Sequence, residues 1–316
     1  MGCFASSILP MGGGGKRKLD SLDLSGVAEY ILSGKCRNIV WLSGAGISVA
    51  AGIPDFRSKG TGLYASLARY KLPTPESIFD IEYFYRDPRP FYDLARKLYP
   101  GRHKPTATHH FIHLLHCKGL LLRNWTQNID NLERMAGLPA RAVVNAHGSF
   151  EEANCSRCGR LSDEVVVKRK IMKNEQPKCH KCGGHLKPAI TFFGEPLPER
   201  VTKLAKQDFK QCDLLIVAGT SLAVQPVASF VQKVPRSTPR LLCNRVVVGV
   251  REMRDNKDSL TGGFKFGEAD NYRDVVQLGD CDDTVWRLAS LLGWTAELKK
   301  RVKSFSLAEG VANLTC

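Results

Sequence analysis

The chain has 316 residues, 43% hydrophobic and 24% charged, the balance of a globular protein large enough for a sizeable core. No apolar run approaches the roughly 20 residues that a membrane-spanning helix needs, which sets membrane-spanning readings aside. The formal net charge of +15 favours acidic partners. Its short basic runs, Lys16-Arg17-Lys18, Lys168-Arg169-Lys170 and Lys299-Lys300-Arg301, carry no interleaved aromatics, so they read as solvated tails and helix faces and not as a sequence-specific nucleic-acid site.

Residues 1–22 read as a disordered basic tail with a Gly12–Gly15 run. Gly2 followed by Ser6 fits the N-myristoylation pattern and Cys3 a palmitoylation site, two chains that together would hold the protein on a membrane surface. An unmodified tail is the alternative, and the absence of arginine in residues 1–15 speaks against a mitochondrial transit peptide. Apolar runs at Ile39–Leu42, Leu120–Leu122, Leu214–Ala218 and Arg240–Cys243, each leading into polar or glycine-rich turns, predict buried parallel strands. Helical patterns between them, at Thr108–Lys118 and Pro226–Gln232, complete an α/β reading: a doubly wound parallel Rossmann-like sheet with a smaller zinc-binding and helical module. Residues 23–62, 106–150 and 189–297 form the main domain in this reading. Residues 63–105 are a helical insertion, 151–188 a metal module, 250–272 an exposed loop and 298–316 a C-terminal tail.

Four of the eleven cysteines form Cys155-x-x-Cys158 and Cys179-x-x-Cys182, with 20 residues between the pairs. Two such knuckles complete a tetrahedron of thiolates around one structural Zn2+ and leave no open position for water. His180 and His185 are then bystanders. The other seven cysteines are scattered with no secretory signal before them, which points to a reducing compartment. His109, His113 and His116 share a helix face with no carboxylate beside them and read as a plain, partly exposed helix.

Gly44-Ala45-Gly46-Ile47-Ser48 follows a buried strand, where glycines let backbone N–H groups approach a phosphate. Val49 stands where the dehydrogenase fingerprint wants a third glycine, and no acidic ribose clamp follows, so hydride transfer is not the expected chemistry. Gly52-Ile53-Pro54-Asp55-Phe56-Arg57-Ser58 could cover a ligand, with Phe56 shielding a reactive carbon and Arg57 holding an anion. Thr126-Gln127-Asn128-Ile129-Asp130 and Asn145-Ala146-His147-Gly148-Ser149 should project from strand ends into the ligand crevice, making His147 a general-base candidate.

In this order, and with Phe192-Phe193-Gly194-Glu195, Gly219-Thr220-Ser221 and Asn244-Arg245, these motifs resemble the sirtuin family over roughly residues 22–296. The likeness is greatest to the cytoplasmic and mitochondrial deacetylases of eukaryotes. The resemblance implies NAD-consuming removal of acetyl or other uncharged acyl groups from protein lysines, histone or tubulin tails among them, in cytoplasm or nucleus. A membrane-anchored or mitochondrial chain is the alternative. It implies His147 and Asn128 as catalytic, with Asn128, Asp130 and Ile53 around the nicotinamide. Gly44, Ala45, Gly46, Asp55, Phe56, Arg57, Gln127, Ile129, Gly219, Thr220, Ser221, Asn244, Arg245 and Cys281 would serve the rest of the cofactor. Thr191, Phe193, Gly194, Glu195 and Val224 would meet the substrate, partly as an added strand. The chain departs from the family at Asn131, where glycine is usual, and at Ala189 and Thr191. A mono-ADP-ribosyltransferase on the same NAD site is the alternative activity, and a non-catalytic zinc module the bland one.

Overall fold

A computed structural model describes residues 17–54, 70–250 and 263–307. In chain order, α1 (Leu24–Leu32), capped by the Asp23 side chain, leads into β1 (Ile39–Ser43) and a 3-10 turn at Ala45–Ala51. A second 3-10 turn (Pro75–Phe79) is followed by α2 (Ile81–Arg86), α3 (Arg89–Leu98) and α4 (Ala107–Cys117). Then come β2 (Leu121–Thr126), α5 (Leu132–Met135), β3 (Val143–Asn145), β4 (Gly148–Cys155), β5 (Leu161–Ser162), α6 (Glu164–Met172) and β6 (Leu186–Ile190). The chain continues through α7 (Glu199–Asp208), β7 (Leu214–Ala218), β8 (Arg240–Asn244), β9 (Asp274–Leu278), α8 (Cys281–Leu291) and α9 (Thr295–Leu307).

Six parallel strands pair in the order β3-β2-β1-β7-β8-β9, the doubly wound sheet expected. The apolar runs are continuous because both faces are covered. Ile39 and Trp41 of β1, with Leu214 and Ile216 of β7, enter the core shared with α1, α4, α8 and α9. Val40, Leu42, Leu215 and Val217 point the other way, into a core with α7. The strand order changes direction between β1 and β7, which is where such sheets open a ligand crevice.

A second, antiparallel sheet has the order β5-β4-β6. The two segments that break the sequence rhythm share one core around it: Phe79, Phe84, Phe91 and Tyr92 pack with Phe150, Val167, Ile171 and Phe192. Phe91 and Phe192 meet edge to face at 4.7 Å.

Several expectations need correction. The N-terminal tail was placed at 1–22, but Leu19 is buried in the main core and Arg17 donates to the carbonyls of Leu19 and Asp20; Gly2, Cys3 and Ser6 lie outside the described residues. Likewise, the expected tail from residue 298 continues α9 through Leu307. Leu298 is fully buried, Lys118 pairs with Glu297 at 2.8 Å, and Arg301 lies 3.1 Å from His113 Nδ1. That helix covers α4, so His109, His110 and His113 are buried and not partly exposed. Burial lowers each of the three to about 4. The stretch after Pro226 is a 3-10 helix (Val227–Gln232). Residues 251–262 of the expected exposed loop lie outside the described residues, but Phe264 beyond them is fully buried and stacks on Phe266.

Arg240 and Asp274, each about 1% exposed, tie β8 to β9 through two hydrogen bonds of 2.6 Å. The same guanidinium donates to the carbonyls of Val231 and Gly263. Asp274→Ala would leave a buried cation without its anion, and it should cost about 3–5 kcal/mol in a urea titration. A loss within the range of ordinary surface substitutions would show that this pair does not anchor the sheet edge.

Candidate active site and metal module

A cavity of about 900 Å3 opens at the β1–β7 switch and runs between the large sheet and the small module. Its sheet side is made by two glycine turns in backbone contact. Gly44 N–H donates to Ala218 O at 3.0 Å and Gly46 N–H to Gly219 O at 2.7 Å. A Cβ on Gly44 or Gly46 would come within 2.6 Å of the Gly219–Thr220 backbone. Gly219 itself has φ 61°, and a Cβ there would lie 2.5 Å from Ile47 N. These glycines are therefore fixed by loop-on-loop packing as well as by any phosphate they hold.

Gly44, Ala45, Gly46, Gln127, Asn128, Ile129, His147, Gly219, Thr220, Ser221, Asn244, Arg245 and Cys281 all line the cavity, and so do Thr191, Phe193, Gly194, Glu195 and Val224. Asp55, Phe56 and Arg57 lie outside the described residues. Ile53 and Asp130 do not line the cavity: Asp130 accepts from the buried Ser48 hydroxyl at 2.6 Å. Sequence reasoning missed Phe79, Ile190, Leu197 and Val248 on the apolar wall, and Asp280 and Asp282 at the start of α8. Asp280 pairs with Arg245, and Asp282 caps α4 through Thr108.

His147 follows β3 and is held from both sides. Its Nδ1–H donates to Gln127 O at 3.2 Å, and its carbonyl accepts from Thr191 N–H at 2.9 Å. That bond leaves Nε2 unprotonated, buried and without a hydrogen-bond partner among the described residues. Burial lowers the imidazole below its ordinary value, so the ring is neutral at pH 7. The glycine after it is obligatory: Gly148 has φ 74°, and a Cβ there would meet Ala189 O at 1.9 Å. Asn128 donates both amide hydrogens inward, to Gly44 O and Ser48 Oγ at 3.2 Å each, which leaves its oxygen for the cavity. Asn131 has φ 63°, the left-handed region that favours glycine and that asparagine tolerates best among the other residues. The backbone is therefore preserved at that departure.

On the substrate wall, Phe193 is already paired: its N–H donates to Phe79 O and its carbonyl accepts from Ile81 N–H. Glu195 turns its carboxylate to the buried Lys187 ammonium at 2.9 Å and to Phe192 N–H at 2.8 Å.

Away from the cavity, the sulfurs of Cys155, Cys158, Cys179 and Cys182 all lie within 4.8 Å of one another, with Cys155–Cys182 at 3.5 Å and Cys158–Cys179 at 3.8 Å. A tetrahedron with Zn–S bonds of about 2.3 Å has edges of about 3.8 Å, so the donor set fits one zinc ion and closes its coordination. The N–H groups of Cys182 and Lys181 pull the Cys179 thiol down to about 7, toward the thiolate that a metal requires. Chelation should release one zinc per chain and open residues 150–190 to protease, with Cys179→Ser reproducing the effect. A metal-free chain as resistant as the loaded one would contradict a structural role.

A profile of the Sir2 family matches residues 44–226. Over 291 residues the chain is 52% identical to the NAD-dependent protein deacetylase sirtuin-2 of Danio rerio, covering 92% of this chain and 77% of that protein. It is 46% identical over 286 residues to the NAD-dependent protein deacetylase sirtuin-3 of Mus musculus (90% and 81% covered). It is 45% identical over 282 residues to the NAD-dependent protein deacetylase hst2 of Schizosaccharomyces pombe (89% and 80% covered). With more than half its length matched by the profile and relatives this similar along most of both chains, the protein belongs to the Sir2 family.

Proposed function

We propose that the chain is an NAD-dependent protein-lysine deacetylase, which moves the acyl group of a modified lysine onto the ribose of NAD and releases nicotinamide. NAD is the co-substrate, and one zinc held by Cys155, Cys158, Cys179 and Cys182 is the structural metal. The observation that carries the chemistry is the His147 ring: neutral, held through Nδ1, with a free Nε2 on the cavity wall.

In this reading the turns Gly44–Gly46 and Gly219–Ser221, with Asn244, Arg245 and Cys281, hold the adenosine and phosphates. Asn128 presents its oxygen to the nicotinamide end, and Gln127 and Ile129 flank it. Ile53 and Asp130 support that end from behind. The acyl oxygen of the lysine attacks the anomeric carbon as the bond to nicotinamide breaks, and nicotinamide leaves with the bonding electrons. His147 Nε2 then takes the proton of a ribose hydroxyl, whose oxygen adds to the acyl carbon; water next adds to that carbon as its bonds to the lysine nitrogen and to the anomeric oxygen break, and the amine leaves protonated, giving free lysine and O-acyl-ADP-ribose. The apolar wall of Ile190, Phe192 and Val224 beside Thr191 suits acetyl or other uncharged chains. Pairing through Gly194 and Val224 reads mostly main chain, so sequence selectivity is weak and lysine-bearing tails, such as those of histones or tubulin, are suitable partners. The free thiols of Cys36, Cys212, Cys243 and Cys281 suit cytoplasm or nucleus, and acylation at Gly2 and Cys3 would add a membrane surface.

Wild type with NAD and an acetyl-lysine peptide should yield free lysine and O-acetyl-ADP-ribose by mass spectrometry. His147→Ala should lose about 100- to 10,000-fold of that rate. Transfer of ADP-ribose to protein in place of deacetylation would favour the ADP-ribosyltransferase reading. Because the base must be unprotonated and burial lowers His147, kcat should fall only below the ordinary histidine range and be level at pH 7. An acid limb centred at or above 6.5 would contradict this assignment of the base.

A further inference from the structure

Behind the cavity lies a buried polar cluster that the acyl-transfer chemistry leaves unused. Glu133 of α5 is 2% exposed and His109 of α4 is 1% exposed; a ring nitrogen of His109 and carboxyl oxygens of Glu133 and Asp130 lie within 4.8 Å of one another. A divalent cation would need a lone pair from His109. Thr106 N–H donates to Nδ1 at 3.1 Å and so occupies that lone pair, which places the ring proton on Nε2. No lone pair of the ring is left for a metal. The ring is also neutral, since burial lowers it to about 4, and Nε2 has no hydrogen-bond partner among the described residues.

The two carboxyls are not alike. Asp130 accepts on both oxygens, from Ser48 Oγ at 2.6 Å and from Leu132 N–H at 3.0 Å. Glu133 accepts only a long contact of 3.5 Å from Asn124 Nδ2, and the Thr126 hydroxyl lies beside it. Of the cationic groups nearby, Arg134 turns to Leu138 O and Glu151, while His103 faces Asp130 and not Glu133. Asp282 acts on His109 and not on Glu133. Among the described residues no cation faces Glu133, and burial and the Asp130 charge push it up to about 7; burial raises Asp130 too, opposed by the two hydrogen bonds it accepts.

We propose that Glu133 carries a proton and acts as a positioning residue: by staying neutral it keeps Asp130 the single anion at the end of the chain Asn128 → Ser48 → Asp130, and so holds the Asn128 amide toward the nicotinamide end of the cavity. Each link runs one way. Asn128 Nδ2 donates to Ser48 Oγ at 3.2 Å, and Ser48 donates to Asp130. When Glu133 loses its proton, two anions face each other without a counter-charge. If Asp130 takes up a proton in response, it becomes a weak acceptor for Ser48, and Asn128 is released. NAD therefore binds best when the pair holds one proton and Glu133 carries it. The inference rests on the reading that NAD occupies this cavity, but not on deacetylation.

The test uses the zinc-loaded full chain. NAD affinity is measured by calorimetry from pH 6 to pH 9 in the wild type and in Glu133→Gln, which stays neutral at every pH. Affinity should weaken about tenfold over that range in the wild type, the effect of a one-unit difference in pKa, and should not change with pH in the variant. Equal pH dependence in both proteins would overturn the proposal. An independent readout is the infrared carbonyl stretch of a protonated carboxylic acid, present in the wild type at pH 6 and fading as pH rises through neutrality. If that band is absent in the wild type, the proposal falls even if the variant does not fold. Absence of deacetylation alongside NAD binding and a titrating band would sink the proposed activity and leave Glu133 in its role.

Discussion

The backbone contact between Gly44–Gly46 and Gly219 sets the geometry of everything else in the site. It sits where the strand order reverses, beside the in-register pair Ser43 and Ala218. Two turns can approach this closely only if Gly44, Gly46 and Gly219 carry no Cβ, because a Cβ on any of them would lie within 2.6 Å of the facing backbone. The approach brings the ends of two central strands together, so the amides of both turns face the same cavity. It also brings Ser43, Gln127 and Thr220 within hydrogen-bonding reach: Gln127 Nε2 donates to Thr220 Oγ1 at 3.0 Å and to Ser43 O at 3.2 Å. The Gln127 carbonyl, fixed by this bonding, is in turn the acceptor that orients His147.

Backbone groups also decide what two histidines can do. Gln127 O takes the Nδ1 proton of His147 and leaves Nε2 as a base. Thr106 N–H donates to Nδ1 of His109 and leaves Nε2 as a donor. Both rings are buried and neutral, yet one can accept a proton and the other can only offer one. Neither role follows from residue type or burial; each follows from whether a carbonyl or an amide faces the ring.

Much of the large sheet could be read from the chain because burial on both faces leaves a continuous apolar run, and the four cysteines could be read because metal geometry fixes their spacing. Other features have no local signature. Phe79, Phe84 and Phe91 join Phe150 and Phe192 in one core across more than 50 residues of sequence, a contact that periodicity does not encode. The histidines of α4 look like a polar face, and only the packing of α9 through Leu298 and Arg301 explains why they are buried and neutral. Leu19 falls next to a glycine-rich, basic stretch that suggested a tail, although a single leucine is enough to anchor the segment to the core. Asp130 was placed in the pocket by its motif. In the fold its carboxylate accepts from the buried Ser48 hydroxyl and from Leu132 N–H, and neither it nor Ser48 lines the cavity.

The zinc module acts on the site mechanically and not chemically. At one end of the β4–β6 ladder Cys155 pairs with Leu186, next to the metal knuckles; at the other, Gly148 pairs with Ile190 beside the catalytic cavity, with an irregular stretch between. A ladder interrupted in the middle cannot hold its register from one end by hydrogen bonds alone, since a slip would turn alternate side chains to the wrong face. Four thiolates fix the far end. At the near end the bond from Thr191 N–H to His147 O and the close approach of Gly148 to Ala189 O fix the other. Lys187, buried between them, ties the strand to Glu195 and to Ile190 O. One strand pair therefore links the four cysteines to the stretch that bonds His147, and a closed set of four thiolates leaves a metal there no open position for chemistry of its own.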